Sequence, residues 1–319
     1  MKSALPAIFS LTERFSRSAA IATILLFTFF RIIELHVNMS AQVTIALIGL
    51  LIGIPHGAID HLISIPSKPR SHFAIYILAY IAVAVLAGWA IATWNLNGFR
   101  VVVVMSALHF GYGDAAFRNE WRSATSTHKF PWLLVSVYSL PAGFLPLVLP
   151  LTDARTRSAL QRIHPSLGAW AGSEAQLLRN FTLGLAALAI IILLLSQIWD
   201  LSIDLILLTC LALAAPPLIA FAIYFGLWHA TRHTARLASK LESTRVIAAS
   251  GQVFLTLRGV ITPGLYAIAG TFMVSLGLMS FGGAPFSSGL LWSSLVTVWA
   301  LTVPHMLSTA RFDFRAIRS

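Results

Sequence analysis

Residues 201–233 read LSIDLILLTCLALAAPPLIAFAIYFGLWHATRH. Asp204 is the one charged side chain before Arg232. About 20 predominantly apolar residues cross the hydrocarbon core of a bilayer, so this run is long enough to span. It ends on His229 and His233, at positions i and i+4. On a helix that spacing puts both rings on one face, with Cβ atoms ~5–6 Å apart. Both rings then reach one ion through metal–nitrogen bonds of about 2 Å. The ordinary alternative is a solvated pair at a helix end, helped by the negative C-terminal dipole.

The rest of the chain has the same character. Of its 319 residues 57% are hydrophobic and only 10% charged, against roughly 25% charged in soluble domains. Most of the surface must therefore face lipid. Apolar runs at 19–33, 43–65, 73–94, 99–117, 181–199, 201–233, 262–281 and 286–308 predict an all-α, polytopic transmembrane bundle of about eight spans. No repeat or linker divides it, so residues 1–319 read as a single membrane-embedded domain. The net charge of +11 does not point to nucleic acid, because the basic residues are scattered among short loops. Cys210 is the only cysteine, which excludes an intrachain disulfide and any cysteine-based metal site.

Residues 130–150 are ambiguous. They are apolar but contain Pro131, Pro141, Pro146 and Pro150, and interior prolines kink or break helices. Loop charge supplies an argument. If this stretch dips in and returns, the basic clusters around Arg17, Lys68, Arg118, Lys129, Arg157, Arg236 and Arg315 all fall on one side, with Asp200 and Asp204 opposite. By the positive-inside rule that side is the cytoplasm. The expectation is a re-entrant or interfacial Pro-rich segment in a plasma-membrane protein with both termini cytoplasmic.

In that arrangement His56, His109, His229, His233 and His305 share one membrane depth. An ionisable ring in a bilayer costs free energy unless something satisfies it. GIPHGAIDH sets Asp60 one turn after His56, where a carboxylate can orient a ligand imidazole. SALHFGYGDAAF repeats the pattern with His109 and Asp114. Each histidine alone has a bland reading as helix–helix glue; four together point to a metal centre. Phe110, Tyr112, Tyr224, Phe225 and Trp228 flank the histidines as expected pocket walls. His305, beside Pro304, is expected in an outer shell or along a substrate path. His61 is expected nearer the water interface, and His36, His72, His128 and His164 at the surface. All-imidazole ligation suits zinc, copper, iron or nickel. No H-E-x-x-H is present, and one close histidine pair is too few for a di-iron hydroxylase.

At these residues the sequence resembles the Brp/Blh family of bacterial and archaeal β-carotene 15,15′-dioxygenases. The resemblance rests on PHGAIDH at 55–61, LHFGYGD at 108–114, IYFGLWHATRH at 223–233 and PHML at 304–307. It implies one non-haem Fe(II) held by His56, His109, His229 and His233. It also implies O2-dependent cleavage of β-carotene, drawn from membrane lipid, into two all-trans-retinal, with a retinal-binding rhodopsin as an acceptor. The tail RFDF at 311–314 and the polar loop at 152–179 are less typical of that family. A different class of function, a non-catalytic metal or carotenoid carrier or an accessory factor for rhodopsin assembly, would share the histidines but predicts no turnover.

Overall fold

The computed structural model describes residues 7–64, 70–125, 130–281 and 286–318; His128, Lys68 and Lys129 lie outside them. Among the described residues every regular element is a helix. The chain runs α1 (Ala7–Ile32), α2 (Met39–Gly53), α3 (Asp60–Ser64), α4 (Arg70–Thr125), α5 (Trp132–Thr152), α6 (Ala154–Gln161) and α7 (Pro165–Gly168). It continues with α8 (Ala175–Leu195), α9 (Trp199–Ala214), α10 (Pro217–Ala222), α11 (Ala230–Lys240), α12 (Arg245–Ala249), α13 (Val253–Phe281) and α14 (Phe286–Arg318). Among the described residues six helical segments are long and apolar enough to cross a membrane. Leu25, Ile75, Leu78, Val85, Leu86 and Phe254 each leave most of their surface uncovered, as a lipid-facing exterior requires.

Local chemistry sets the boundaries. α2 starts where Asn38 accepts a hydrogen bond from the Ala41 amide at 2.9 Å, satisfying an orphan donor of the first turn. α4 is two arms joined at a kink, with Asn95 at φ 31. Asparagine is among the few residues that tolerate positive φ. The kink falls between the runs 73–94 and 99–117, as their separation predicts. The run 201–233, by contrast, is not one helix. Pro216 and Pro217 end α9 at Ala214, with Ala215 already extended, and restart the chain as α10, because neither proline offers a backbone donor.

The Pro-rich stretch forms one uninterrupted helix through Pro141 and Pro146. Of the six membrane-length segments it is the most enclosed by protein, 56% buried against at most 33% elsewhere. Neighbouring helices surround the backbone groups that its prolines leave free. α4 lies directly on it: a Cβ at Gly111 would strike the Ser139 carbonyl, and one at Gly143 the Ala107 carbonyl. Small residues allow this approach.

Two contacts show which end of the bundle each loop occupies. Arg100, just after the α4 kink, donates to the Trp170 carbonyl at 3.1 Å, and Phe99 packs with Leu167 and Trp170. The loop after α5 therefore lies at the kink end. At the opposite end Asp204 is buried among three guanidinium groups. Arg118 meets it through two bonds of 2.5 and 2.6 Å, Arg232 at 2.8 Å and Arg17 at 2.8 Å. Loop charge predicts Asp204 opposite these arginines and Arg157 on their side; the structure reverses both placements. α5 running the length of the bundle accounts for the reversal. A buried carboxylate requires cationic partners, and that need outweighs the statistical bias of loop charge.

Candidate metal centre

His56 follows α2 in a 3-10 turn, Ile54–His56, entered through Pro55. Its Nδ1 donates to the Gly53 carbonyl. His109 lies in the second arm of α4. His229 ends a π-helical stretch, Ile223–His229, that links α10 to α11; such turns recur at functional sites. His233 is on α11 and His305 on α14. All five are buried, none more than 7% exposed.

The five rings form one cluster. His56 and His109 each lie 4.9–6.0 Å, centroid to centroid, from His229, His233 and His305. His229 and His233 stack at 6.1 Å, and His233 stands 5.7 Å from His305. The tightest group is His56, His109 and His305, whose nearest ligand atoms lie within 4.8 Å of one another. Two nitrogens each about 2.1 Å from one ion lie at most about 4.2 Å apart, so a small side-chain adjustment closes the difference.

Apart from His233, each ring has a polar group facing its Nδ1. Nδ1 of His229 lies 3.1 Å from Asp114 Oδ1, and the Tyr224 hydroxyl donates to Asp114 Oδ2 at 2.9 Å. Nδ1 of His305 lies 2.9 Å from both oxygens of Asp60, which also accepts from the Tyr80 hydroxyl at 3.1 Å. Nδ1 of His109 faces Thr309 Oγ1 at 3.4 Å and Asp313 Oδ2 at 3.8 Å. Asp313 is itself bonded to Arg236 at 2.6 Å. The inner nitrogens differ: Nε2 of His109, His229, His233 and His305 is buried without a hydrogen-bond partner among the described residues. Buried polar atoms are rarely left so. A cation that takes their lone pairs fits this donor set, and ligand histidines held by carboxylates or carbonyls through the other nitrogen are the usual arrangement around a metal.

Both carboxylates foreseen beside the histidines are in place, but each serves a ring from another helix. Asp60 holds His305 rather than His56, because the 3-10 turn at 54–56 breaks the helical register between them. Asp114 holds His229 rather than its neighbour in sequence, His109. Among the expected walls, Phe110 packs on His229 at 4.4 Å, Phe225 faces His56 at 5.8 Å and Tyr224 stacks near His229 at 6.1 Å. Trp228 lies instead under the Arg232 guanidinium at 3.7 Å. Tyr112 meets Phe314 at 5.6 Å and is not brought to the histidines. His61 is half-buried against Phe73, and His36 and His72 are exposed. His164 stacks on Trp292 at 4.0 Å. Thr309, Asp313, Tyr80 and Arg236 went unforeseen. His305, Thr309 and Asp313 lie at i, i+4 and i+8 of one helix, a spacing that marks a common face. Nothing in the sequence singled out Tyr80.

The family model described as beta-carotene 15,15′-dioxygenase matches residues 47–313. A beta-carotene 15,15′-dioxygenase from an uncultured marine bacterium is 26% identical over 273 residues, covering 81% of this chain and 89% of that protein. The probable beta-carotene 15,15′-dioxygenase Blh of Halobacterium salinarum is 26% identical over 275 residues, covering 80% and 73%. No solved structure gives a match. With a family match that takes in every histidine of the cluster, the chain belongs to the β-carotene 15,15′-dioxygenase family.

Proposed function

We propose that this protein is a membrane oxygenase that cleaves the central 15,15′ double bond of β-carotene with O2, giving two all-trans-retinal. In this reading His56, His109, His229 and His233 hold one Fe(II). The observation that carries it is the buried cluster itself: Nε2 of His109, His229 and His233 is without a hydrogen-bond partner among the described residues, and the His56 ring stands 5.7 and 5.3 Å from those of His229 and His233. Bound iron supplies the O2 chemistry that amino-acid side chains lack.

The protein's own residues do the rest. Asp114, through Nδ1 of His229, and the Gly53 carbonyl, through Nδ1 of His56, fix which nitrogen faces inward. Four neutral imidazoles add no charge to the ion. Phe110, Tyr224 and Phe225 wall the cluster with aromatic surface and exclude water. An apolar cleft opens at the α4 bend, lined by Ile91, Trp94, Val102, Met105 and Val303. Met105 is one turn before His109 and Val303 two residues before His305, so the cleft lies beside the two helices that carry those rings. Carotene is insoluble in water, and lateral access suits it. A rigid polyene held along such a path presents its middle bond to the centre in one orientation.

The side bearing Arg17, Arg118 and Arg232 is taken as cytoplasmic. Asn119 donates to the Ala316 carbonyl at 2.8 Å, which puts the end of α14 on the side of Arg118; this reading makes both termini cytoplasmic. In a cell the product would pass to a retinal-binding rhodopsin. The test is incubation of purified protein with β-carotene, Fe(II) and O2. A C20 aldehyde, absent without O2, is expected; iron uptake with carotene unchanged would make the protein a carrier.

A further inference from the structure

The four-histidine reading leaves His305 outside the ligand set. We infer that His305 is a fifth imidazole ligand of the same ion and that Asp60 is its positioning residue. The inference rests on the metal-centre reading above and extends it.

Three observations carry it. His305 belongs to the tightest group of ligand atoms in the cluster, with His56 and His109. Its Nε2 is buried without a partner, while Nδ1 is committed to both oxygens of Asp60 at 2.9 Å. A histidine that only glued α14 to α3 would be complete with the Asp60 contact and would not need its other nitrogen aimed into a cluster of imidazoles. Finally, the same face of α14 carries Thr309 and Asp313, which stand behind His109. α14 is thus built around the centre on both sides of it. By contrast, His233 has no partner at either nitrogen among the described residues. His305 is the better held of the two.

The test uses the full chain in lipid nanodiscs and Co(II) as probe, because its ligand-field absorption reports the ligand set without turnover. His305→Gln keeps side-chain volume and a donor for Asp60 but removes the imidazole; His305→Ala is the second variant. Either is expected to weaken Co(II) binding by at least about 100-fold, beyond the loss usual for an outer-shell residue, and to shift the absorption band. Free imidazole should restore the band in His305→Ala. Asp60→Asn is expected to cost about 10- to 100-fold in affinity, and the exposed His36→Gln should change neither readout. If His305→Gln binds Co(II) like the unmodified protein with the same spectrum, His305 is not a ligand, although the centre stands. If the unmodified protein takes up no Co(II), the inference falls together with the metal centre itself.

Discussion

Asp114 and His229 meet across two helices, with Oδ1 3.1 Å from Nδ1, while the second carboxylate oxygen is occupied by the Tyr224 hydroxyl at 2.9 Å. The carboxylate belongs to α4 and the two groups it holds to the π-helical stretch. A ligand ring supported in this way has one usable nitrogen and one orientation. Asp114→Ala is therefore expected to lower metal affinity about 10- to 100-fold while the protein still inserts. Tyr224→Phe, which leaves the Asp114–His229 contact in place, should lose less. Metal titration of the two variants in parallel makes the comparison.

The buried guanidinium cluster on Asp204 predicts a stability effect rather than a catalytic one. Asp204→Ala would leave Arg118 and Arg232 buried without their main anionic partner, and stranding a buried charge costs about 3–5 kcal/mol. Unfolding in mixed micelles should show a loss of that order. Asp204→Asn, which keeps the shape and part of the hydrogen bonding, should show a smaller one.

The placement of α5 predicts a labelling pattern. In a Cys210→Ser background, single cysteines at exposed Ser173, Ser196 and Ser250 can be tested with an impermeant thiol reagent from either face. Ser196→Cys and Ser250→Cys should react from one face and Ser173→Cys from the other. Reaction of Ser173→Cys and Ser250→Cys from the same face would show that residues 132–152 do not cross.

Phe110 packs on His229 at 4.4 Å and is buried. If it orients substrate rather than metal, Phe110→Ala should retain bound metal and lose roughly 10- to 100-fold in kcat/KM for carotene cleavage, the scale of a misplaced reactant. Metal analysis and product chromatography on one preparation separate the two effects.

Much of this was legible in the sequence, for definable reasons. Apolar runs report burial in lipid, so the helical bundle and the gap at Asn95 could be read directly. Histidine within such runs carries so high a desolvation cost that His56, His109, His229 and His233 stood out. Partner identity was less legible, because it depends on three-dimensional register. Asp60 lies one turn from His56 only if the chain stays helical, and the 3-10 turn after Pro55 sends it to His305. Asp313 looked like an atypical tail until the fold of α14 set it behind His109. The course of α5 is obscured because interior prolines read as breaks in isolation, whereas here the segment, enclosed by its neighbours, stays helical through them. Asp204 pairs with arginines far away in sequence, a contact that no loop-charge argument contains.

The central claim is that these histidines converge to hold a single ion. Elemental analysis of protein purified from iron-replete cells tests it most directly, with His109→Ala prepared in the same way. One iron per chain in the unmodified protein, and little or none in the variant that still inserts, is the result predicted. An unmodified protein devoid of transition metal, or a variant that retains the full amount, would contradict it.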